Sequence, residues 1–193
     1  IKILITLCAR GGSKGIPRKN ITDINGKPLI AYSIELAKSI LTQHHIDIAL
    51  STEDQEIRDI AKKWGLETSY NRPKELSFDR TGKVQTILDL LRHEENQQNI
   101  LYDFILDLDI SSPLRTKQDV EKAFDIIYLD VDALSLFSVN PSQRNPYFNM
   151  VEQNKEGYYD LVKKPPHNFL SRQSSPLVYD LNASFYWYRR SFF

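Results

Sequence analysis

Short apolar runs alternate along most of the chain with segments in which apolar residues recur every three or four positions. The runs predict strands at residues 2–8, 46–51, 67–70, 102–108, 133–139 and 183–190. The three- and four-residue spacings predict helices at residues 28–40, 54–64, 81–93 and 116–128. Strands that alternate with helices of this length predict right-handed βαβ units and a mainly parallel sheet covered on both faces.

Residues 141–179 have a different pattern. They carry prolines and tyrosines, with weak strand signals at 147–153 and 158–162. A segment of this size is too short to build a core of its own, so it is predicted to form a lobe or arm. The 193 residues are therefore interpreted as a single domain, 1–193, with an arm at about 141–180.

Composition excludes several classes of protein. The chain has 25 basic and 25 acidic residues, and this neutral balance removes the simplest case for nucleic-acid binding. No apolar run approaches the roughly 18 residues that a membrane span needs. The single cysteine, Cys8, has no partner for an internal disulfide. We expect a cytoplasmic protein with neither a membrane nor a nucleic acid as partner.

The loop after the first strand, residues 9–27, has the strongest candidate chemistry. Four of the seven glycines fall in it, and it holds five basic residues against one acid. Glycines let backbone N–H groups approach an anion, and the cations neutralise it. The loop follows the carboxyl end of a strand, where open α/β sheets bind ligands. Its spacing matches neither a P-loop nor a dinucleotide fingerprint. A nucleoside triphosphate is the favoured ligand, and a flexible basic surface loop is the alternative.

Four segments, in the same order, resemble the acylneuraminate cytidylyltransferases, the CMP-sialic acid synthetases and their relatives. The first is the loop itself, from Arg10 to Pro17, with Lys19-Asn20 and 26–30. The others are 72–76, similar to the family's RPxEL stretch; 111–115, similar to the end of its QPTSPLR stretch; and Arg172-Gln173 with 182–186, similar to its RQ…NGAIY region. Together they cover nearly the whole chain.

The resemblance implies an enzyme with a Rossmann-like three-layer fold. Family members join CTP to a nonulosonic acid, a nine-carbon α-keto acid sugar, and release pyrophosphate with Mg²⁺ as cofactor. The resemblance also implies a homodimer in which the arm reaches the neighbouring subunit's site. Protein catalysis in such a reaction consists mainly of positioning and charge neutralisation.

The family's site residues transfer onto matching positions of this chain. The implied nucleotide-binding residues are Ala9, Arg10, Gly11, Gly12, Ser13, Lys14, Lys19, Asn20, Arg72 and Thr81. The triphosphate is assigned to Arg10, Lys14 and Lys19, which are also the implied catalytic residues. The implied sugar-binding residues are Asp109, Arg172, Gln173, Asn182 and Tyr186. For Arg72, the alternative is a surface ion pair with Glu75.

Two departures from the family pattern bear on metal and substrate. Asp109 replaces the family's glutamine, and Asp107 lies two positions before it on a strand, so both point to one side. They are candidates to share Mg²⁺ or to contact sugar hydroxyls; the alternative is one solvated carboxylate and one held by N–H groups. This Asp-x-Asp form resembles relatives that act on legionaminic acid.

The second departure is that no late acidic metal element follows residue 186, which suggests that the C-terminal part of the family domain is absent. An inactive nucleotide-binding or assembly module is therefore an alternative. So is a cytidylyltransferase for pseudaminic acid or 3-deoxy-manno-octulosonate.

Overall fold

The structure is a computed structural model that describes residues 1–12, 15–78, 80–164, 169 and 171–193. Within these ranges the α-helices are α1 Leu29–Ser39, α2 Gln55–Lys63, α3 Lys83–Gln98 and α4 Lys117–Leu129. The strands are β1 Lys2–Cys8, β2 Asp23–Ile24, β3 Lys27–Pro28, β4 His45–Ser51, β5 Phe104–Leu108, β6 Ser135–Pro141, β7 Val151–Gln153, β8 Tyr159–Leu161 and β9 Tyr179–Arg189.

The main sheet has the strand order β4-β1-β5-β9-β6. β1 pairs in parallel with β4, from Lys2 opposite His45 to Cys8 opposite Ser51, and in parallel with β5 on its other side. β9 pairs antiparallel with β5 and places Tyr186 opposite Asp107. The parallel pairs bring the carboxyl ends of β1, β4 and β5 to one edge of the sheet, where this class of fold binds ligands.

Helices pack on both faces of this sheet. Ile3 and Ile5 of β1 point to the face that carries α1, α2 and α4, whereas Leu4 points to the face that carries α3. This alternation follows from the two-residue period of a strand. The apolar stripe of α3 buries Ile87 and Leu90 completely, and each such side chain contributes about 1.5–3 kcal/mol. The predicted three layers and mainly parallel sheet are confirmed.

The predicted helix boundaries have local causes. Asp54 caps α2 by accepting the Ile57 N–H at 3.0 Å, and Gly65 adopts a φ of 75° just beyond the helix end. Thr116 and Asp119 form a capping box at the start of α4. α1 begins directly after Pro28. These three helices therefore start or stop at a residue whose backbone or side chain favours that boundary.

The predicted strand at residues 67–70 is wrong, because this segment has no strand pairing. Its backbone carbonyls are taken up by a side chain instead: the Arg58 guanidinium donates to the carbonyls of Thr68 and Tyr70, the latter at 3.0 Å. The Thr68 hydroxyl in turn donates to the Leu50 carbonyl at 3.0 Å. Side-chain hydrogen bonds thus replace a strand ladder beside β4.

The chain divides into two compact units, one of residues 1–137 with 183–193 and one of residues 138–182. The predicted arm at 141–180 falls inside the second unit. That unit contains the β7–β8 hairpin and a buried amide, Asn145, whose Nδ2 donates to Ser175 Oγ and to the Pro176 carbonyl, both at 2.9 Å. Among the described residues, no helix has the length and apolar character that crossing a membrane requires.

Candidate active site

Two adjoining clefts open at the carboxyl ends of β1 and β5 in the first unit. The larger, about 310 Å³, is lined by Cys8, Arg10, Arg72, Leu76, Phe78, Thr81, Lys83, Thr86 and Asp109. The smaller, about 160 Å³, is lined by Cys8, Arg10, Lys19, Asn20, Asp109, Ile110 and Ser111. Three residues, Cys8, Arg10 and Asp109, line both clefts, so the two clefts form one continuous site.

The structure brings six of the sequence-predicted residues to these clefts. They are Arg10, Lys19, Asn20, Arg72, Thr81 and Asp109. Ala9 is buried beneath the loop, where its N–H donates to the Ser51 carbonyl at 2.9 Å. Ser13 and Lys14 lie outside the described residues. Gly12 is exposed.

The glycine loop is held in place by the protein around it. The buried Asn20 amide donates to the Arg10 carbonyl at 3.0 Å. Arg18 forms ion pairs with Asp54 and Glu56 at the start of α2. Gly11 packs so closely on Asp54 that a Cβ at this position would overlap its carboxylate. The loop therefore needs glycine at position 11 for space, and its shape is fixed by contacts with the β4–α2 turn.

Arg72 is buried against the end of β4. Its Nε donates to Ser51 Oγ at 2.8 Å and its Nη2 donates to the Ser51 carbonyl at 2.7 Å. Its ion pair is with Glu53, at 3.7 Å, instead of the Glu75 pair considered above. These contacts hold a planar guanidinium, with hydrogen-bond donors in a rigid fork, at the wall of the larger cleft.

Lys83 lies between the two aspartates that the sequence singled out. Its Nζ is 2.6 Å from Asp107 Oδ2 and 3.1 Å from Asp109 Oδ2. The other oxygen of Asp107 accepts the Thr6 hydroxyl at 3.0 Å. The two carboxylates thus face one side, as their spacing predicts, and an ammonium already occupies the place between them. Asp107 has no solvent exposure, whereas Asp109 lines both clefts.

The charges of this cluster stabilise one another. Burial favours a neutral Lys83, but the carboxylates of Asp107 and Asp109 outweigh burial and raise the Lys83 pKa. Burial likewise disfavours an ionised Asp109, yet Lys83 and the Ser111 N–H hold its pKa below the ordinary 3.8. A low pKa makes Asp109 a weak proton acceptor, so this carboxylate is suited to binding and not to general-base catalysis.

Arg115 fixes the turn that carries Asp109. Its Nη1 donates to the carbonyls of Asp109, Ser112 and Ser184 at 2.5, 2.8 and 3.0 Å. Its Nη2 donates to Ser33 Oγ on α1 at 2.6 Å. Burial lowers the pKa of Arg115 to about 10. Through the Nη1 and Nη2 contacts the guanidinium ties the end of β5 to β9 and α1.

Cys8 is not set up as a nucleophile. Burial first, and then the Asp107 carboxylate, raise the pKa of its thiol to about 12. The thiol is therefore protonated near neutral pH, and the thiolate is the nucleophilic form. This agrees with a transfer that needs no covalent enzyme intermediate.

The residues assigned to the sugar lie in both units. Tyr186, in the first unit, is half-buried beside the cation of Lys83, with the ammonium 5.7 Å from the ring centre. In the second unit Asn182 accepts the Ser138 hydroxyl at 2.5 Å and donates to Asn140 at 3.1 Å. Gln173 is exposed in a 3₁₀ turn that also contains the backbone of Arg172.

Glu53, Lys83 and Arg115 are the site residues that the sequence analysis did not identify as such. Lys83 lies at the start of a predicted helix, far along the chain from Asp107 and Asp109, and the sequence analysis gives it no role. Arg115 was part of a quoted motif but had no role. Glu53 follows a strand end beside the helix cap Asp54, and nothing in its spacing points to Gly11.

Comparison with known proteins identifies the family. The cytidylyltransferase family profile matches residues 4–190. The chain is 41% identical over 192 residues to the CMP-N,N'-diacetyllegionaminic acid synthase of Campylobacter jejuni, covering 99% of this chain and 79% of the relative. It is also 41% identical over 191 residues, with the same two coverages, to the post-translational flagellin modification protein B of Campylobacter coli. The N-acylneuraminate cytidylyltransferase of Streptococcus agalactiae is 28% identical over 186 residues, 96% of this chain and 43% of the relative.

A solved structure supports the fold. The structure of a CMP:2-keto-3-deoxy-manno-octonic acid synthetase complexed with CTP superposes with a TM-score of 0.70 at 20% identity, over 99% of this chain and 75% of that one. The expected Rossmann-like nucleotidyltransferase fold is confirmed, and so is the resemblance drawn from the four motifs. The chain belongs to the cytidylyltransferase family and is a nucleotidyltransferase enzyme.

Proposed function

We propose that this enzyme transfers the cytidylyl group of CTP to a nonulosonic acid and releases pyrophosphate. The anomeric hydroxyl oxygen of the sugar acid attacks the α-phosphorus, the bond to the β-phosphate breaks, and the hydroxyl proton is released to water. The observation that carries the proposal is the paired cleft. Arg10 lines both clefts, Lys19 lines the smaller one, and the buried guanidinium of Arg72 lines the larger one.

The cleft suits a triphosphate joined to a base. Arg10 and Lys19 provide countercharge for the departing pyrophosphate, and Arg72 and Thr81 lie where the cytosine would bind. Preorganised cations of this kind stabilise charge as it develops in the transition state. Lys14 and Arg172 complete the proposed cation set from the family resemblance.

Mg²⁺ is proposed to bind together with the triphosphate. Among the described residues no group of three or more His, Cys, Asp or Glu side chains is arranged to hold a metal ion. Mg²⁺ commonly uses one or two carboxylates with substrate phosphates and water, so Asp109 fits as its protein ligand. Asp107 is buried against Thr6 and Lys83 and is left out of the proposed contact. When bound, the ion neutralises charge on the leaving pyrophosphate.

The acceptor is proposed to be a bacterial nonulosonic acid of the legionaminic type. The chain is 41% identical to a protein named for that substrate but 28% identical to one named for N-acylneuraminate. A pseudaminic acid cytidylyltransferase of Campylobacter jejuni, 38% identical over 167 residues, makes pseudaminic acid the next candidate. Asp109, Gln173, Asn182 and Tyr186 are the proposed sugar contacts.

The enzyme is also proposed to act as a cytoplasmic homodimer through residues 138–182. Large apolar side chains are exposed in this unit, among them Tyr158 at 74% and Leu177 at 85%. Clusters of exposed apolar side chains mark interaction surfaces. Light scattering tests this part: we expect a dimer for the native chain and a shift toward monomer for Leu177→Glu with Tyr158→Glu.

The activity is tested by measuring pyrophosphate release with CTP, Mg²⁺ and a panel of legionaminic, pseudaminic, N-acetylneuraminic and 3-deoxy-manno-octulosonic acids. We expect release that depends on both CTP and the sugar acid, and the fastest turnover with a legionaminic acid. Binding of CTP without release for any acceptor contradicts the catalytic proposal and favours a nucleotide-binding module. Equal rates with UTP contradict the cytosine assignment.

A further inference from the structure

Glu53 contacts two parts of the proposed nucleotide site. It lies in the turn between β4 and α2. Its Oε1 accepts the Gly11 N–H at 2.8 Å, and its Oε2 is 3.7 Å from Arg72 Nη1. One carboxylate therefore joins the glycine loop, next to Arg10, to the guanidinium of Arg72, which lines the larger cleft.

The buried charge of Glu53 is compensated by Arg72. Oε2 of Glu53 is buried and makes no hydrogen bond within the described part of the chain. A buried charged oxygen is costly unless a counter-ion compensates it. Arg72 is that counter-ion, and its Nε and Nη2 are already held by Ser51. Arg72 thus keeps its Nη1 side toward Glu53.

We propose that Glu53 is a positioning residue that sets the spacing between the phosphate-binding loop and Arg72. One CTP molecule can then contact the loop with its phosphates and Arg72 with its cytidine part. It acts through Gly11 and Arg72 without contacting the nucleotide, because it does not line either cleft. The Gly11 N–H is committed to Glu53, so this amide orients the loop, and the cations Arg10 and Lys19 meet the phosphates. This inference rests on the proposed function.

Calorimetry with two partial ligands separates the two contacts. Inorganic tripolyphosphate reports on the loop, and CMP reports on the base side. Glu53→Ala removes both contacts, and we expect it to weaken the binding of each ligand by about fivefold or more. Glu53→Gln keeps an oxygen that can accept the Gly11 N–H but has no charge for Arg72. We expect it to bind tripolyphosphate within about twofold of the native chain and to bind CMP as weakly as Glu53→Ala does.

Glu67→Ala is the matched control. Glu67 is an exposed carboxylate that pairs with Lys62 and is not part of the contacts with Gly11 or Arg72. We expect this variant to bind both ligands within about twofold of the native chain. Thermal melting of every variant shows whether it is folded, and if Glu53→Ala does not fold, the Glu53→Gln result decides alone.

The outcomes distinguish this inference from the proposed function. The inference is supported if Glu53→Ala binds both ligands more weakly and Glu53→Gln recovers the affinity for tripolyphosphate only. It is overturned if the affinities of Glu53→Ala are unchanged or only one of them falls. It is also overturned if Glu53→Gln loses affinity equally for both ligands. If the native chain binds neither CTP nor tripolyphosphate, the proposed function itself is contradicted.

Discussion

The Lys83 Nζ atom lies 2.6 Å from Oδ2 of Asp107, an aspartate with no solvent exposure. The pair joins the first turn of α3 to the middle layer of the domain, at the wall of the larger cleft. At this distance the ammonium is in direct contact with the buried carboxylate and supplies its counter-charge.

Removing this charge is expected to destabilise the protein. Lys83→Met leaves the Asp107 carboxylate buried without its counter-ion, and we expect the free energy of unfolding in urea to fall by about 2–3 kcal/mol. This loss is smaller than that for a fully buried pair because the Lys83 side chain is 37% exposed. Adding Asp107→Asn to Lys83→Met should restore most of the loss. Lys62→Met, which removes an exposed pair with Glu67, is the control and should cost about 0.5 kcal/mol or less.

Lys19 is expected to matter for nucleotide binding and not for stability. It lines the smaller cleft beside Arg10, where its charge is available to a phosphate. We expect Lys19→Ala to weaken CTP binding by at least about 1.4 kcal/mol, or about tenfold, in calorimetry. Lys62→Ala, on the outer surface of α2, should leave the affinity unchanged. An unaltered affinity in Lys19→Ala removes this lysine from the site.

The ion pair between Arg18 and Asp54 gives the protein a dependence on pH. The Arg18 guanidinium is the main cause that lowers the pKa of Asp54 below its ordinary 3.8, against the opposing effect of burial. Because the folded pKa is the lower one, the pair stabilises the fold fully above the unfolded pKa. This stability is lost as the pH falls through the folded pKa.

Asp54→Asn isolates this effect, because asparagine still accepts the Ile57 N–H as a helix cap. Between about pH 6 and about pH 3, we expect the free energy of unfolding to fall more in the native chain than in Asp54→Asn. Asp125→Asn, at an exposed position on α4, should behave as the native chain does. Parallel pH curves for the native chain and Asp54→Asn contradict the assignment.

Ala183 occupies a backbone conformation that favours glycine. Its φ is 54°, in the left-handed region, within β9. Glycine adopts this region without the steric penalty of a Cβ, although it also makes the unfolded chain more flexible. We expect Ala183→Gly to stabilise the protein by about 0.5–1 kcal/mol and Ala183→Val to destabilise it, as measured by urea denaturation. A loss of stability in the glycine variant would contradict the claim that the backbone of Ala183 is strained.

The sequence predicts those parts of the fold closely that are determined by residues near one another in the chain. β1 begins and ends at the predicted residues, and α4 starts at a capping box that can be read from Thr116 and Asp119. The hairpin β2–β3 was missed, although Asn25-Gly26 is a strong turn signal and both residues have positive φ. Residues 67–70 were misread because a distant side chain, Arg58, satisfies their carbonyls.

The site follows the same division. The basic glycine loop and the Asp-x-Asp pair are visible in the sequence because their residues are neighbours in it. The contacts that organise them join residues far apart in the sequence: Gly11 with Glu53, Arg72 with Ser51, and Lys83 with Asp107. Pairings of this kind depend on which strands lie side by side, so a single sequence did not reveal them.

The most direct test is a crystal structure of the full chain with CTP and Mg²⁺. The predicted result is a triphosphate against Arg10 and Lys19, with the cytosine beside Arg72 and Thr81. A nucleotide bound elsewhere, with these four side chains arranged as before and no phosphate near them, would contradict the assignment of the cleft.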